Sequence, residues 1–102
     1  MPEAFYALGN LRERSGDLAR AQSLYEKAIG MEPDYPTARI ALAGLLQKKN
    51  DFVSAKKQLD AVLASDPGSI DGLMAMAMLL YAQGDKNGAQ EYQNKALFLK
   101  YK

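Results

Sequence analysis

With 102 residues, 13 lysines and arginines against 12 aspartates and glutamates, the chain has room for one small domain and a net charge of +1. So even a balance gives no general attraction to nucleic acid or to anionic lipid. There is no cysteine and no histidine, which removes a disulfide framework, the commonest acid–base side chain and most zinc sites; no enzyme, cofactor or metal centre is expected.

Met1-Pro2-Glu3 does not read as a signal peptide, and the compartment is left open. A first helix is expected near 2–15, ended by Gly16-Asp17. Glycine takes the left-handed conformation that closes a helix, and aspartate caps the next one and favours its positive end. The second helix, near 18–31, stops before Pro33, because the residue preceding proline avoids the helical region. The third, near 36–49, is expected to be capped by Asp34, with Pro36 in its first turn, and to end at Asn50-Asp51. The fourth covers 52–65 and stops before Pro67. Ser69 caps a fifth near 70–83, Gly84-Asp85 closes it, and a sixth follows near 86–99. No segment alternates with strand period over a useful length.

These elements repeat every 34 residues. Asp17, Asp51 and Asp85 keep that spacing, as do Ala21, Ala55 and Ala89, and Leu8, Leu42 and Met76. Gly9, Ala43 and Ala77 follow the same rule, then Ala28, Val62 and Ala96, then Pro33 and Pro67. The small residues are expected where the two helices of each unit approach closely. Phe5, Leu8, Leu18, Tyr25, Leu42, Leu46, Phe52, Leu59, Leu73, Met76 and Leu80 are expected to fill the spaces between.

The pattern resembles the tetratricopeptide repeat (TPR), a 34-residue helix–turn–helix unit. Unit one carries the motif as Phe5, Leu8-Gly9, Gly16-Asp17, Ala21, Tyr25, Ala28 and Pro33. Unit two has Arg39, Leu42-Ala43, Asn50-Asp51, Ala55, Leu59, Val62 and Pro67. Unit three has Leu73, Met76-Ala77, Gly84-Asp85, Ala89, Gln93 and Ala96, with Tyr92 one position before the expected aromatic and no closing proline. The resemblance implies an all-α fold: a right-handed superhelical solenoid of three hairpins, six helices in one domain over 1–102, with repeats near 2–35, 36–69 and 70–102. It also implies a concave groove, lined by the first helix of each unit, that takes a protein or peptide partner. By offset the groove-facing residues are Tyr6 and Asn10, with Ala7 and Glu13; Ile40 and Gly44, with Ala41 and Gln47; and Met74, Met78 and Tyr81, with Ala75.

Residues 73–82, LMAMAMLLYA, contain no charge and no amide. The run is far shorter than the roughly 20 residues of a membrane span, so no membrane insertion is expected. A double duty accounts for it: Leu73, Met76, Ala77 and Leu80 face the helix partner, while Met74, Met78 and Tyr81 face the groove. Met74 and Met78, four apart, share a helical face, and methionine suits a surface that adapts to its ligand. The competing reading makes both methionines core.

Other roles fit less well. Chaperone-binding tetratricopeptide domains clamp an acidic tail with Lys, Asn, Asn, Lys and Arg, and the corresponding positions are Tyr6, Asn10, Ala41, Asp71 and Ala75; only Asn10 matches. Glu13 and Asp17 read as a solvated helix end and a cap rather than a catalytic pair. Lys48, Lys49, Lys56 and Lys57 form the one basic cluster, too small for an RNA-reading helical repeat, and no nucleic acid is expected. Structural spacing or self-association in a larger protein is the main alternative to an adaptor. The last helix is expected to present an apolar stripe of Tyr92, Ala96 and Leu99, through which a homodimer forms if the chain is not part of a longer array.

Overall fold

Six helices follow one another in the structure, a computed structural model that describes all 102 residues. They are α1 (Pro2–Arg14), α2 (Leu18–Met31), α3 (Pro36–Lys48), α4 (Phe52–Ser65), α5 (Ile70–Ala82) and α6 (Lys86–Lys100). Each pair forms a hairpin, and three hairpins stack into an all-α helical repeat measuring 34 × 26 × 20 Å. No helix is long and apolar enough to cross a membrane.

One pair of residues closes each hairpin and opens its second helix. Gly16, Asn50 and Gly84 adopt φ of 87°, 62° and 88°. This left-handed residue lets the next backbone N–H turn back onto the closing helix: Asp17 donates to the Arg12 carbonyl, Asp51 to Leu46 and Asp85 to Leu80, each at 2.9 Å. The aspartate side chain then accepts the backbone N–H of Arg20, Ser54 or Gly88 at 3.2, 3.2 and 2.9 Å. Ser69 caps α5 in the same manner, its Oγ accepting from the Gly72 N–H at 3.0 Å. The cap expected from Asp34 is absent. Tyr35 precedes α3 and makes no capping bond. Asp34 lies one residue too early: α3 begins at Pro36, which leaves Tyr35 at the capping position, and a tyrosine side chain is too long to reach back to the first free N–H groups.

The alanines at the 34-residue spacing lie inside the hairpins. Ala21, Ala28, Ala55, Ala89 and Ala96 are all buried, with Val62 at the matching place in unit two. Gly9 meets the ring of Tyr25 so closely that a Cβ there would stand 2.6 Å from Cε1. Between hairpins the core is Leu42, Leu45, Leu46, Leu59, Met76 and Leu79. Phe5, Leu18, Phe52 and Leu80 are half-buried rather than core. Leu8 is exposed, as a first helix without a preceding unit presents it, whereas Leu42 and Met76 at the same position are buried.

Ala55→Leu is expected to lower stability by about 1–3 kcal/mol, since the added methylenes overpack a fully buried contact between α3 and α4. Thermal unfolding followed by circular dichroism would register this as a fall of about 4–8 °C per kcal/mol. An unchanged curve would contradict the close approach at this alanine.

Candidate partner-binding groove

The first helices α1, α3 and α5 contribute one side chain after another to a run of hollows. At one end Tyr6, Ile40, Ala41, Asp71, Met74 and Met78 surround a space of about 440 Å³. In the middle Ile40, Gly44, Gln47, Ala75 and Met78 line a narrower one of about 130 Å³. At the far end Gln47, Met74, Met78, Tyr81, Ala82 and Gln93 enclose about 370 Å³. Met78 lines all three, so they form one continuous groove with that side chain at its centre. Asp71 is the only charged residue among the linings.

Helix geometry produces this lining. Two residues along a helix are separated by about 200° of rotation. Met76 therefore points into the core with no exposed surface, and Met78, on the opposite side, is 63% exposed. Met74, one turn before Met78, is half-buried. Gly44 leaves the middle of the groove open: a Cβ there would meet nothing within 4 Å.

Tyrosines build the end at unit one. The Tyr6 ring lies 6.0 Å from both Tyr25 and Tyr35, centroid to centroid. Burial, and then the nearby charges of Glu3, Tyr6 and Glu32, raise the Tyr35 hydroxyl above its ordinary pKa. Tyr25 is fully buried, and burial pushes its hydroxyl well above the ordinary tyrosine value. The hydrogen bond to Glu13 and the Glu13 charge add to the shift, and Arg14 opposes it. The hydroxyl donates to Glu13 Oε1 at 2.8 Å and lies 2.9 Å from the Asn10 side-chain amide. The second Glu13 oxygen accepts from Lys48 Nζ at 2.7 Å, which ties α1 to α3.

The structure thus brings together Tyr6, Ile40, Gly44, Met74, Met78 and Tyr81 along one groove. Asn10 lines none of the hollows, because its amide is held at Tyr25. The stripe expected on α6 is placed differently. Ala96 is buried, and Tyr92 and Leu99 are half-buried, Tyr92 against the core, so α6 instead exposes Leu97 and Phe98. Pairs spaced by three and four mark a helix face but not its direction, and here Ala89 and Ala96 turn that face toward α5. Gln93 lines the far end of the groove and is not among the residues expected there. Gln93 occupies the position of Tyr25 and Leu59, and a polar residue at that buried position of the first two units signals a surface there.

A family model for the tetratricopeptide repeat matches residues 14–79, and a second with the same description matches 70–100. The chain belongs to the tetratricopeptide repeat family, whose members are protein-interaction repeat modules. No curated protein sequence matches it at a significant level. Among solved structures, it resembles MamA at 21% identity and a TM-score of 0.87, covering 98% of this chain and 58% of that one. The TPR domain of Sgt2 from Aspergillus fumigatus gives 17% identity and a TM-score of 0.89, covering 97% of this chain and 66% of that one. The first TPR domain of Spaghetti (RPAP3), bound to the HSP90 peptide SRMEEVD, gives 16% and 0.87, covering 96% and 78%. At these identities the likeness is one of fold.

Proposed function

We propose that this chain is an adaptor module that holds a peptide or helix of a partner protein, through apolar side chains, in the groove centred on Met78. The observation that carries this reading is a flexible, polarisable side chain left 63% exposed at the meeting point of three hollows. A core methionine would be covered, as Met76 is. Large exposed apolar surface in a groove is what an apolar ligand would cover.

Charge argues against an acidic peptide. The RPAP3 domains hold SRMEEVD, which ends in acidic residues. Here Tyr6, Asp71 and Ala75 stand where a carboxylate clamp needs its three cations, and Asp71 repels a carboxylate. Nor is there a free basic stripe for RNA: Lys48 bonds Glu13, Lys49 bonds Gln22 at 2.7 Å, and Lys56 pairs with Asp60 at 3.1 Å.

Selection from a displayed random-peptide library tests the proposal. Wild type is expected to enrich peptides with spaced large apolar residues, and SRMEEVD is expected not to bind. Met74→Glu with Met78→Glu should weaken the selected peptides at least about tenfold, since burying one large apolar side chain is worth roughly 1.5–3 kcal/mol. Gly44→Gln adds a side chain to the groove at a position where a Cβ meets nothing within 4 Å, and should weaken the same peptides. Undiminished binding by both variants, each still helical, would refute the groove as the site.

A further inference from the structure

The groove is apolar in the middle and unequally charged along its length. The 34-residue repeat sets equivalent residues of α1, α3 and α5 side by side in rows across it. At the helix starts the row is Glu3, Thr37 and Asp71, followed by Tyr6, Ile40 and Met74. Near the helix ends it is Glu13, Gln47 and Tyr81. The carboxylates of the two outer rows differ in their partners. Glu13 is held by Lys48 Nζ at 2.7 Å and by the Tyr25 hydroxyl. Glu3 and Asp71 form no ion pair within the chain. Asp71 lines the 440 Å³ hollow with Thr37, Tyr6, Met74 and Met78, and this hollow opens between the first helices rather than at an end of the stack.

The cations of the lining helices are placed elsewhere. Helix α5 has no lysine or arginine. On α3, Arg39 donates to the Pro33 carbonyl and to Gln58 of α4, each at 2.8 Å, and Lys48 is taken by Glu13. Arg12 and Arg14 lie in the last turn of α1, away from the row of Glu3. The start of α5 contributes only about half an elementary positive charge, less than the full negative charge of Asp71. Burial, and then the charges of Glu3, Tyr6 and Glu32, raise the Tyr35 hydroxyl, which puts two more carboxylates near the Tyr6–Tyr35 ring pair. We infer that the partner segment in this groove carries a lysine or arginine that lies at Asp71 and against the Tyr6 ring, with its apolar residues running past Met78 toward Tyr81. This rests on the apolar groove being the binding site. A carboxylate and an aromatic face lining one hollow attract a cation together. The charge also sets the direction of the segment, because the far end offers the cation only the amides of Gln47 and Gln93. Asp71 and Met78 are separated by about 10 Å along α5. The basic residue is therefore expected about two helical turns from the apolar residue at Met78, or about three residues from it in an extended segment.

Peptides selected from a displayed random library, on the wild type and separately on Asp71→Lys, test this. The wild type is expected to enrich lysine or arginine at one of those spacings from a large apolar residue. Asp71→Lys should keep the apolar residue and exchange the basic one for aspartate or glutamate. Synthetic copies of the wild-type peptides should bind Asp71→Asn about two- to fivefold more weakly, the range of a partly exposed ion pair, and 1 M salt should narrow that difference. Replacing their basic residue by glutamate should make them bind Asp71→Lys more tightly than the wild type. Both variants should keep the helical circular dichroism; Asp71→Asn, which retains the side chain's shape, carries the test if the lysine variant unfolds. Selected peptides that lack a basic residue, or that bind the wild type and Asp71→Asn equally, would overturn the inference. The apolar groove would still stand if Met74→Glu with Met78→Glu weakened those same peptides. Peptides indifferent to that double variant would remove the groove itself, and this inference with it.

Discussion

Tyr25→Ala is expected to destabilise the protein by about 3–5 kcal/mol, the range for truncating a large buried aromatic. Small domains are stable by only about 5–15 kcal/mol in total, so the variant loses a large share of its stability and should unfold at a much lower temperature. The ring is fully buried, fills the space over Gly9 and carries the link from Glu13 to Lys48. Tyr25→Phe keeps the ring and removes the hydroxyl, and should cost about 1 kcal/mol. The two variants also separate in their response to alkali. Burial and Glu13 raise the folded-state pKa of Tyr25 above the unfolded value. That contribution to stability is therefore complete below about pH 10 and is lost as pH rises beyond it. Tyr25→Phe should lose stability less steeply above about pH 10 than the wild type does; Tyr35, also raised, keeps part of the slope in both. Urea unfolding on either side of that pH checks the effect. Equal slopes would show that the hydroxyl is not held neutral by its surroundings.

Met76→Ala and Met78→Ala should differ by several kcal/mol although they are two residues apart. Met76 has no exposed surface, and its truncation is expected to cost about 2–5 kcal/mol. Met78 lies in the groove, and its truncation should change stability by no more than about 0.5 kcal/mol. Denaturant midpoints at constant m-value would show the contrast. The reverse order would mean that α5 is rotated about its axis relative to the structure.

These two methionines also show where the sequence is readable and where it is not. Helix positions were legible because turn chemistry is local: Gly16, Asn50 and Gly84 must turn left, and the aspartate after each can cap only the next helix. The split of residues 73–82 between core and groove followed from rotation per residue once the 34-residue repeat set the core face. Less is legible where a residue's surroundings come from a neighbour distant in sequence. The Asn10 amide lies 2.9 Å from the hydroxyl of Tyr25, 15 positions away, a contact that helix offsets do not reveal. Burial at the position of Leu8 is supplied by a packed second helix and not by the leucine itself. Tyr92, Ala96 and Leu99 formed a correct stripe whose direction was wrong, because only the packing of α6 on α5 decides which side of the helix is inside. Asp34 failed for a local reason: Pro36 fixes the first residue of α3, which puts Tyr35 and not Asp34 at the capping position.

The ten-residue core cluster draws on α2, α3, α4 and α5 and takes nothing from α1 or α6. Each of these outer helices is fastened chiefly by its own hairpin partner. Amide protons of α1 and α6 should therefore exchange with solvent through local fraying that leaves the middle of the array closed. The same looseness makes the groove elastic. A small tilt of an outer hairpin alters the spacing between Tyr6 on α1 and Tyr81 on α5, so the curvature of the array and the width of its groove behave as a single soft coordinate. A ligand spanning all three units would stiffen that coordinate and slow exchange at both ends together, even at amides it never touches.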